Sequence, residues 1–424
     1  MNSLLDLFIK HPSVTIDSRN INEGQIFFAI KGDNFDGHDF ISNAFELGAS
    51  YCVASDLKYK DYPSVIIVED TLKALQDLAR AYRKTFDIPF FGITGSNGKT
   101  TTNELLARVM ATRFKTHMTK GNFNNHLGVP LTILAMPNDT EFAIIEMGAN
   151  HIGEIRELCE ICLPTHGLIT NIGLAHLEGF GSAEGVKIGK SELMDHLSNQ
   201  GGVQFINLRE ESLRFLSKST ENQILFGNEN NESLILHDDQ DNLNLGFIYK
   251  DKLYETQLFG AHNFNNILSA FEVGKYFGCD ISEMIEAIVQ YQPTNNRSQK
   301  YQLGDVTVLL DAYNANPTSV YHAIQNFGTL VAERKSVILG DMLELGEASS
   351  DFHRKVLADL ASLSGLNKVI LVGAAFYQLR YEFPKYNFYE TTIDASHHLD
   401  WKDFNGDTLL IKGSRGLKLE SLLP

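Results

Sequence analysis

Residues 92–102 read GITGSNGKTTT, directly after the apolar run Pro89-Phe90-Phe91. A strand there delivers the backbone into Gly95-Ser96-Asn97-Gly98, whose glycines permit the positive-φ turns that aim several N–H groups inward. Lys99 supplies a cation, and Thr100 or Thr101 a hydroxyl suited to Mg²⁺. Beyond them Leu105, Leu106, Val109 and Met110 recur at helical spacing. A phosphate held by this loop sits on a helix N-terminus, where unpaired N–H groups and the macrodipole favour an anion. Position 93, where the standard phosphate loop has its first glycine, is Ile93. The signature is therefore the shorter Gly95-x-x-Gly98-Lys99-Thr100.

The chain has 424 residues, more than one ordinary core organises, so two or three domains are expected. A hydrophobic fraction of 43% describes a globular protein. The net charge of −17 argues against nucleic acid as a partner, since that binding rests on neutralising phosphates. An anionic substrate must then be held by local positive sites. The four cysteines provide no disulfide framework. Cys159 and Cys162 form a lone CxxC in a helix-like stretch and read as buried reduced thiols. The opening MNSLLDLFIK does not fit a signal peptide, and no apolar run approaches ~18 residues. The expectation is a cytoplasmic protein without a membrane span.

Patterning divides the chain into three segments. Residues 1–86 alternate short β-rich runs (Val14–Ile16, Ile26–Ile30, Tyr51–Ala54, Val65–Val68) with helical patterns at Phe40–Leu47 and Leu72–Tyr82. This reads as a small α/β domain. Residues 87–297 carry a βα alternation around the phosphate loop, with strands expected at Phe90–Thr94, Phe142–Met147 and Leu168–Ile172. Within them 217–256 is polar and irregular, and reads as a peripheral β-rich excursion. Residues 298–424 repeat the alternation, with strands expected at Val306–Leu310, Ser336–Leu339, Lys368–Val372 and Thr408–Ile411. Helical patterns lie near 318–327, 351–364 and 374–382. Strand, helix, strand with right-handed crossovers gives an α/β protein with doubly wound parallel sheets.

In such sheets ligands bind beyond the carboxyl ends of the strands. That rule selects Glu146, Asn171, His176, Asp311, Asn314, Asp341 and Lys412. Glu146 ends an apolar run beside the phosphate loop, where a carboxylate suits Mg²⁺. His176 follows another strand and becomes a metal candidate only next to such a carboxylate. Lys190 reads as a solvated lysine on a helix face. His262-Asn263-x-x-Asn266 offers amides suited either to a base or ribose, or to helix capping. Arg297, in the link between segments, has the planar fork for a phosphate.

Set side by side, these motifs resemble the Mur ligases, in the branch that adds D-alanyl-D-alanine to UDP-N-acetylmuramoyl-tripeptide. Asp17-Ser18-Arg19 and Asp36-Gly37-His38 carry the likeness in the first segment. TGSNGKTTT, Gly121-Asn122-x-Asn124-Asn125, EMGAN, NIGLAHLEGFGS and GAHNFNN carry it in the second. DAYNANP, Gly340-Asp341-Met-x-Glu344-Leu-Gly346 and Lys412-Gly-Ser414-Arg415-Gly carry it in the third. DAYNANP is the most discriminating of them.

The resemblance implies an N-terminal UDP-sugar domain, a central ATP-binding domain and a C-terminal domain for the incoming dipeptide. Ser18, Arg19 and His38 would lie near the UDP-sugar, and Asn122, Asn124 and Asn125 would also bind substrate. Gly95, Ser96, Asn97, Gly98, Lys99, Thr100 and Thr101 would hold the ATP phosphates. Thr100, Glu146, His176 and Lys190 would serve two Mg²⁺ ions, Lys190 as a CO₂-derived carbamate. Asn263 and Asn266 would face the adenine, and Arg297 and Asp311 would meet ATP from the linker and third domain. Asn314, Asn316, Lys412, Ser414 and Arg415 would surround the dipeptide. Lys99, His176 and Lys190 would be catalytic, in a monomer whose third domain closes about a hinge near 293–300. The alternatives are a sister ligase adding a single amino acid, and a nucleotide-dependent switch without ligase chemistry.

Overall fold

A computed structural model describes residues 2–32, 34–218, 222–228, 233–237, 239 and 243–424. Three α/β units follow one another, each built on a largely parallel sheet. The first sheet orders the short strands Val14–Thr15, Ile26–Phe28, Tyr51–Ala54 and Val65–Ile67 side by side. Its last helix, Thr71–Arg83, starts where the Asp70 carboxylate accepts the Lys73 N–H. Leu75, Leu78, Ala79 and Tyr82 form its buried face.

That face does not end at the first unit. It continues into Val129, Ile133, Ala143, Ile145 and Met147 of the second, as one apolar core. Arg83 closes the seam: its guanidinium lies 3.6 Å from the Phe90 ring centroid and donates to the carbonyls of Cys162 and Leu163. First and second units are thus joined by buried apolar surface, which makes them one body.

The second sheet has six parallel strands in the order Gln223–Phe226, Val203–Asn207, His166–Ile169, Phe90–Thr94, Phe142–Glu146, Thr116–Met118. Phe90–Thr94 is buried along its whole length, as a strand covered on both faces must be. The connectivity reverses at its carboxyl end, the position at which open α/β sheets form a crevice. Helix Lys99–Met110 leaves from there, with Leu105, Leu106, Val109 and Met110 fully buried.

The third sheet runs Gln299–Leu303, Val306–Asp311, Asp407–Lys412, Arg334–Gly340, Leu366–Val372, Asn387–Tyr389. Its first strand is antiparallel and the rest are parallel. Apolar cores cover both faces of this sheet, so it is doubly wound as expected.

Three differences from the sequence reading have local causes. The strand expected at Leu168–Ile172 is His166–Ile169, because Thr170 and Asn171 turn aside to hold the phosphate loop. Gln223–Phe226, within the supposed peripheral excursion, is the edge strand of the central sheet. The antiparallel edge Gln299–Leu303 carries no apolar run, because Gln299, Lys300 and Gln302 give an edge strand a polar pattern. The remaining excursion is a three-stranded antiparallel sheet, Ile235–His237, Gly246–Tyr249 and Lys252–Glu255. Cys159 and Cys162 are buried free thiols on the helix Glu154–Cys162.

Candidate active site

The phosphate loop is built by conformations only glycine takes easily. Gly95 has φ +144° and Gly98 φ +77°. A Cβ on Gly95 would meet Thr170 Oγ1 at 2.0 Å, and one on Gly98 would meet Asn266 Oδ1 at 2.5 Å. The loop is braced from the neighbouring strand end. Asn171 Oδ1 accepts the Asn97 N–H at 3.0 Å, and Thr170 Oγ1 donates to the Asn97 carbonyl at 2.6 Å. Ser96 Oγ donates to the Gly173 carbonyl and accepts the Gly173 N–H, both at 2.9 Å.

Lys99 folds back over this loop, donating to the Gly95 carbonyl at 2.7 Å. Burial lowers its pKa, nearby Glu146 raises it, and Arg297 lowers it further. Glu146 is 1% exposed. Its Oε1 accepts from Asn124 Nδ2 at 2.7 Å and from Thr100 Oγ1 at 3.3 Å. Its Oε2 is buried with no hydrogen-bond partner. A buried carboxylate oxygen left open next to a hydroxyl and a lysine is suited to a hard cation. Among the described residues no three His, Cys, Asp or Glu side chains converge as a closed metal cage. Magnesium does not require one, since phosphate oxygens and water fill most of its shell.

Lys190 is not a solvated lysine. Its side chain leaves helix Ala183–Gln200 for the interior, is fully buried, and donates to the Ala149 carbonyl at 3.0 Å. Its ammonium lies 5.1 Å from the Phe180 ring centroid. Burial drives its pKa far below the lysine range, and the charge of Lys99 adds to this against the pull of Glu154 and Glu192. A neutral amine is the nucleophilic form of lysine. Ala149, its acceptor, lies in the wall of the main cavity.

Thr102 Oγ1 donates to Asn266 Oδ1, and Asn266 Nδ2 donates to Asn263 Oδ1, which places both asparagines directly behind Gly98. Asn263 Nδ2 also donates to Ser298 Oγ at 3.1 Å, reaching the linker. In that linker Asn295, Asn296 and Ser298 have φ +58°, +56° and +46°. Arg297, between them, stacks on Tyr313 with its guanidinium carbon 3.4 Å from the ring centroid, and its Nε is buried without a partner. Tyr313 received no role from the sequence. Its place two residues beyond a strand end was the signal that pointed to it.

The third unit covers the cavity from the other side. Lys412 Nζ donates to Asp311 Oδ2 at 2.5 Å and to the Asn314 carbonyl at 3.3 Å. Burial raises the Asp311 pKa, but Lys412, His262 and Arg297 outweigh it and keep it a carboxylate. Asn316 caps helix Pro317–Thr329 and also donates to Asn97 Oδ1 at 2.7 Å. Thr318 Oγ1 accepts the Leu174 N–H at 2.9 Å. His176 Nδ1 is hydrogen-bonded to Glu344 Oε2, a contact across the two units. Ser414 is buried and accepts the Leu343 N–H, while Arg415 is exposed and paired with Glu420.

Between these walls lies a cavity of about 960 Å³. It gathers Ser96–Thr101, Asn122, Asn124, Asn125, Glu146, His176, Asn263, Asn266, Arg297, Asp311, Asn314 and Lys412. A second cavity of about 760 Å³ is more apolar. It is lined by Asp17, Ser18, Arg19, Phe35 and Phe40 of the first unit and by Phe123, Leu131 and Leu134 of the second. His38, expected with them, lines neither cavity. It is 3% exposed, pairs Nδ1 with Asp36 at 2.6 Å, and accepts the Ser55 N–H at Nε2. It shapes the Asp36–His38 turn from within.

Three family models match consecutive segments of the chain. They are the Mur ligase family, catalytic domain over residues 12–83, the Mur ligase middle domain over 93–274, and the Mur ligase, glutamate ligase domain over 296–415. A Bacillus subtilis protein named UDP-N-acetylmuramoyl-tripeptide–D-alanyl-D-alanine ligase is 34% identical over 423 residues, which are 97% of this chain and 92% of that protein. An Escherichia coli protein of the same name is 30% identical over 424 residues, 97% and 92% of the two chains. MurF from Acinetobacter baumannii superposes with a TM-score of 0.85 at 28% identity, covering 97% of this chain and 92% of its own. MurF ligase from Thermotoga maritima, solved in complex with ADP, gives 0.81 at 28% identity, with 99% and 97% covered.

Proposed function

The chain belongs to the Mur ligase family, and we infer from its site how it joins D-alanyl-D-alanine to UDP-N-acetylmuramoyl-tripeptide with the energy of ATP. One observation carries the reading. The phosphate loop floors a cavity whose opposite wall is the third unit, so nucleotide and both acceptors meet between them.

In this reading the ATP phosphates lie on Gly95–Thr101 at the N-terminus of helix Lys99–Met110. Lys99 exchanges its bond to the Gly95 carbonyl for a phosphate oxygen, and Arg297 supplies a second cation from the linker. The tripeptide carboxylate attacks the γ-phosphorus in line, and ADP leaves. The amine of the dipeptide then attacks the acyl phosphate, loses a proton, and inorganic phosphate departs from the tetrahedral intermediate. An amide bond forms from a carboxylate because phosphate, unlike oxide, is a competent leaving group. The protein excludes water and aligns the partners, since the acyl phosphate otherwise hydrolyses.

Magnesium, held by Thr100, Glu146, His176 and a carbamate on Lys190, would neutralise charge on the phosphoryl oxygens. The carbamate forms when the neutral Lys190 amine adds to CO₂ and releases a proton, which turns a buried base into an anionic oxygen ligand. The second cavity, with Ser18 and Arg19 beside Phe35 and Phe123, is assigned to the UDP-sugar. Residues 1–86, 87–297 and 298–424 then act as sugar-binding, ATP-binding and dipeptide-binding domains. The acting unit is proposed to be a monomer. No helix among the described residues is long and apolar enough to cross a membrane; a cytoplasmic site of action is part of the proposal.

A phosphate-release assay tests the reading. Release with UDP-N-acetylmuramoyl-tripeptide and ATP should require D-alanyl-D-alanine; release driven by a single amino acid would reject it.

A further inference from the structure

His176 has φ +54°, and the residue that meets it from the third unit, Glu344, has φ +62°. Two non-glycine residues in the left-handed region, facing each other across a domain boundary, are held there by their surroundings. For Glu344 those surroundings are visible. Asp341 accepts the Ala375 and Phe376 N–H groups at 2.8 and 2.9 Å. The Met342 N–H donates to His353 Nε2 at 3.0 Å, and the Leu343 N–H to Ser414 Oγ at 3.1 Å. Leu345 is buried just beyond. The turn is fastened on both sides, and Glu344 is the half-exposed residue it presents.

The receiving side is equally defined. The Glu344 carbonyl accepts the Glu178 N–H at 3.2 Å, so the backbone docks as well as the side chain. The carboxylate meets Nδ1 of His176, while Nε2 makes no hydrogen bond among the described residues and the ring lines the nucleotide cavity. A carboxylate that accepts from one ring nitrogen fixes the tautomer and leaves the other nitrogen as a lone-pair donor. Free imidazole side chains have no such constraint.

We propose that Glu344 is a positioning residue for the ligase reaction, reaching across the domain boundary to hold His176 with its hydrogen on Nδ1 and its Nε2 lone pair toward the cavity. This rests on the ATP-site reading above. It adds that His176 is completed only when the third unit is docked, so docking and readiness of the site are one event. An open enzyme keeps its phosphate loop but lacks an oriented His176, and so does not fire without its dipeptide-binding unit in place.

The test compares wild type with Glu344→Ala and Glu344→Gln, all saturated with ADP and labelled with ¹⁵N-histidine. His176 is assigned from the signal lost in His176→Gln. Wild type should show the Nδ1–H tautomer and Glu344→Ala should lose it. The kcat of Glu344→Ala should fall roughly ten- to a hundred-fold with KM for the UDP-tripeptide unchanged, as for loss of an outer partner of a ligand. Glu344→Gln, which keeps an acceptor oxygen, should recover most of both. An Nε2–H tautomer in wild type, or a tautomer or kcat unmoved in Glu344→Ala, overturns the proposal. Wild-type turnover with D-alanyl-D-alanine in the same preparations reports separately on the ligase reading.

Discussion

Asn316 Nδ2 donates to Asn97 Oδ1 at 2.7 Å, so the third unit touches the phosphate loop itself. The same Asn316 accepts the Ser319 N–H at 2.9 Å as the cap of helix Pro317–Thr329. Two roles in one side chain are separable. Asn316→Ser keeps a capping oxygen and loses the bond to Asn97, whereas Asn316→Ala loses both. Both variants should raise KM for ATP several-fold, and only Asn316→Ala should lose about 1 kcal/mol of stability. Steady-state kinetics and thermal unfolding on the pair check this.

Gly95→Ala should abolish nucleotide binding. Its Cβ would stand 2.0 Å from Thr170 Oγ1 and 3.0 Å from the Thr170 backbone nitrogen, at a φ of +144°. The backbone of a central strand end cannot retreat, so a loss of about 2 kcal/mol or more is expected. Wild type should gain melting temperature with ADP, and the variant should not.

Lys190→Ala should lose nearly all turnover while retaining ATP binding, because Lys190 lies behind Ala149 and not on the phosphate loop. Short carboxylic acids should restore part of the rate by occupying the vacated space with an anionic oxygen pair. Wild-type enzyme depleted of CO₂ should slow reversibly and recover on adding bicarbonate. A variant that acetate leaves inactive, with a wild type indifferent to CO₂, would count against the carbamate.

Acid should destabilise the fold through two buried histidines. His166 is stacked among Phe91, Tyr276 and Phe277, and burial pushes its pKa down to about 4. His262 is held near 4 by burial, with Lys412 and His322 repelling a proton that Asp311 attracts. Between about pH 6.5 and 4 the unfolded chain binds protons at these sites that the folded chain refuses. The contribution of these histidines should therefore be lost as pH drops through that window and level off below it, at most about 3 kcal/mol for each. His166→Phe should make the fall in stability across this range, followed by urea titration, measurably shallower than in wild type.

The βα alternation was legible because buried parallel strands are nearly continuous apolar runs, as in Phe142–Glu146, and their carboxyl ends carry the chemistry. Glu146, His176, Asp311 and Lys412 all fall in the cavity that this rule selects. The inward burial of Lys190 was not legible. Lys190 has neighbours at helical spacing that are partly polar, and only packing against Phe180 and Ala149 shows that it points inward. His38 failed in the opposite direction, since a polar turn residue in a motif can face the core when Asp36 and Ser55 satisfy both ring nitrogens. Pairings across units, such as Arg297 with Tyr313, depend on domain placement, which no local pattern encodes.

The short segment from Asn122 to Asn125 faces two ways. Phe123 projects into the apolar cavity, while Asn122, Asn124 and Asn125 project into the nucleotide cavity. The two chambers therefore share this segment as a partition, within the body that the first two units form. A molecule anchored by its head in one chamber must thread past this partition to bring its tail to the other. With the sugar head in the apolar chamber, as proposed, the reach of the peptide past this partition to Glu146 and Lys99 would select the acceptor by its length.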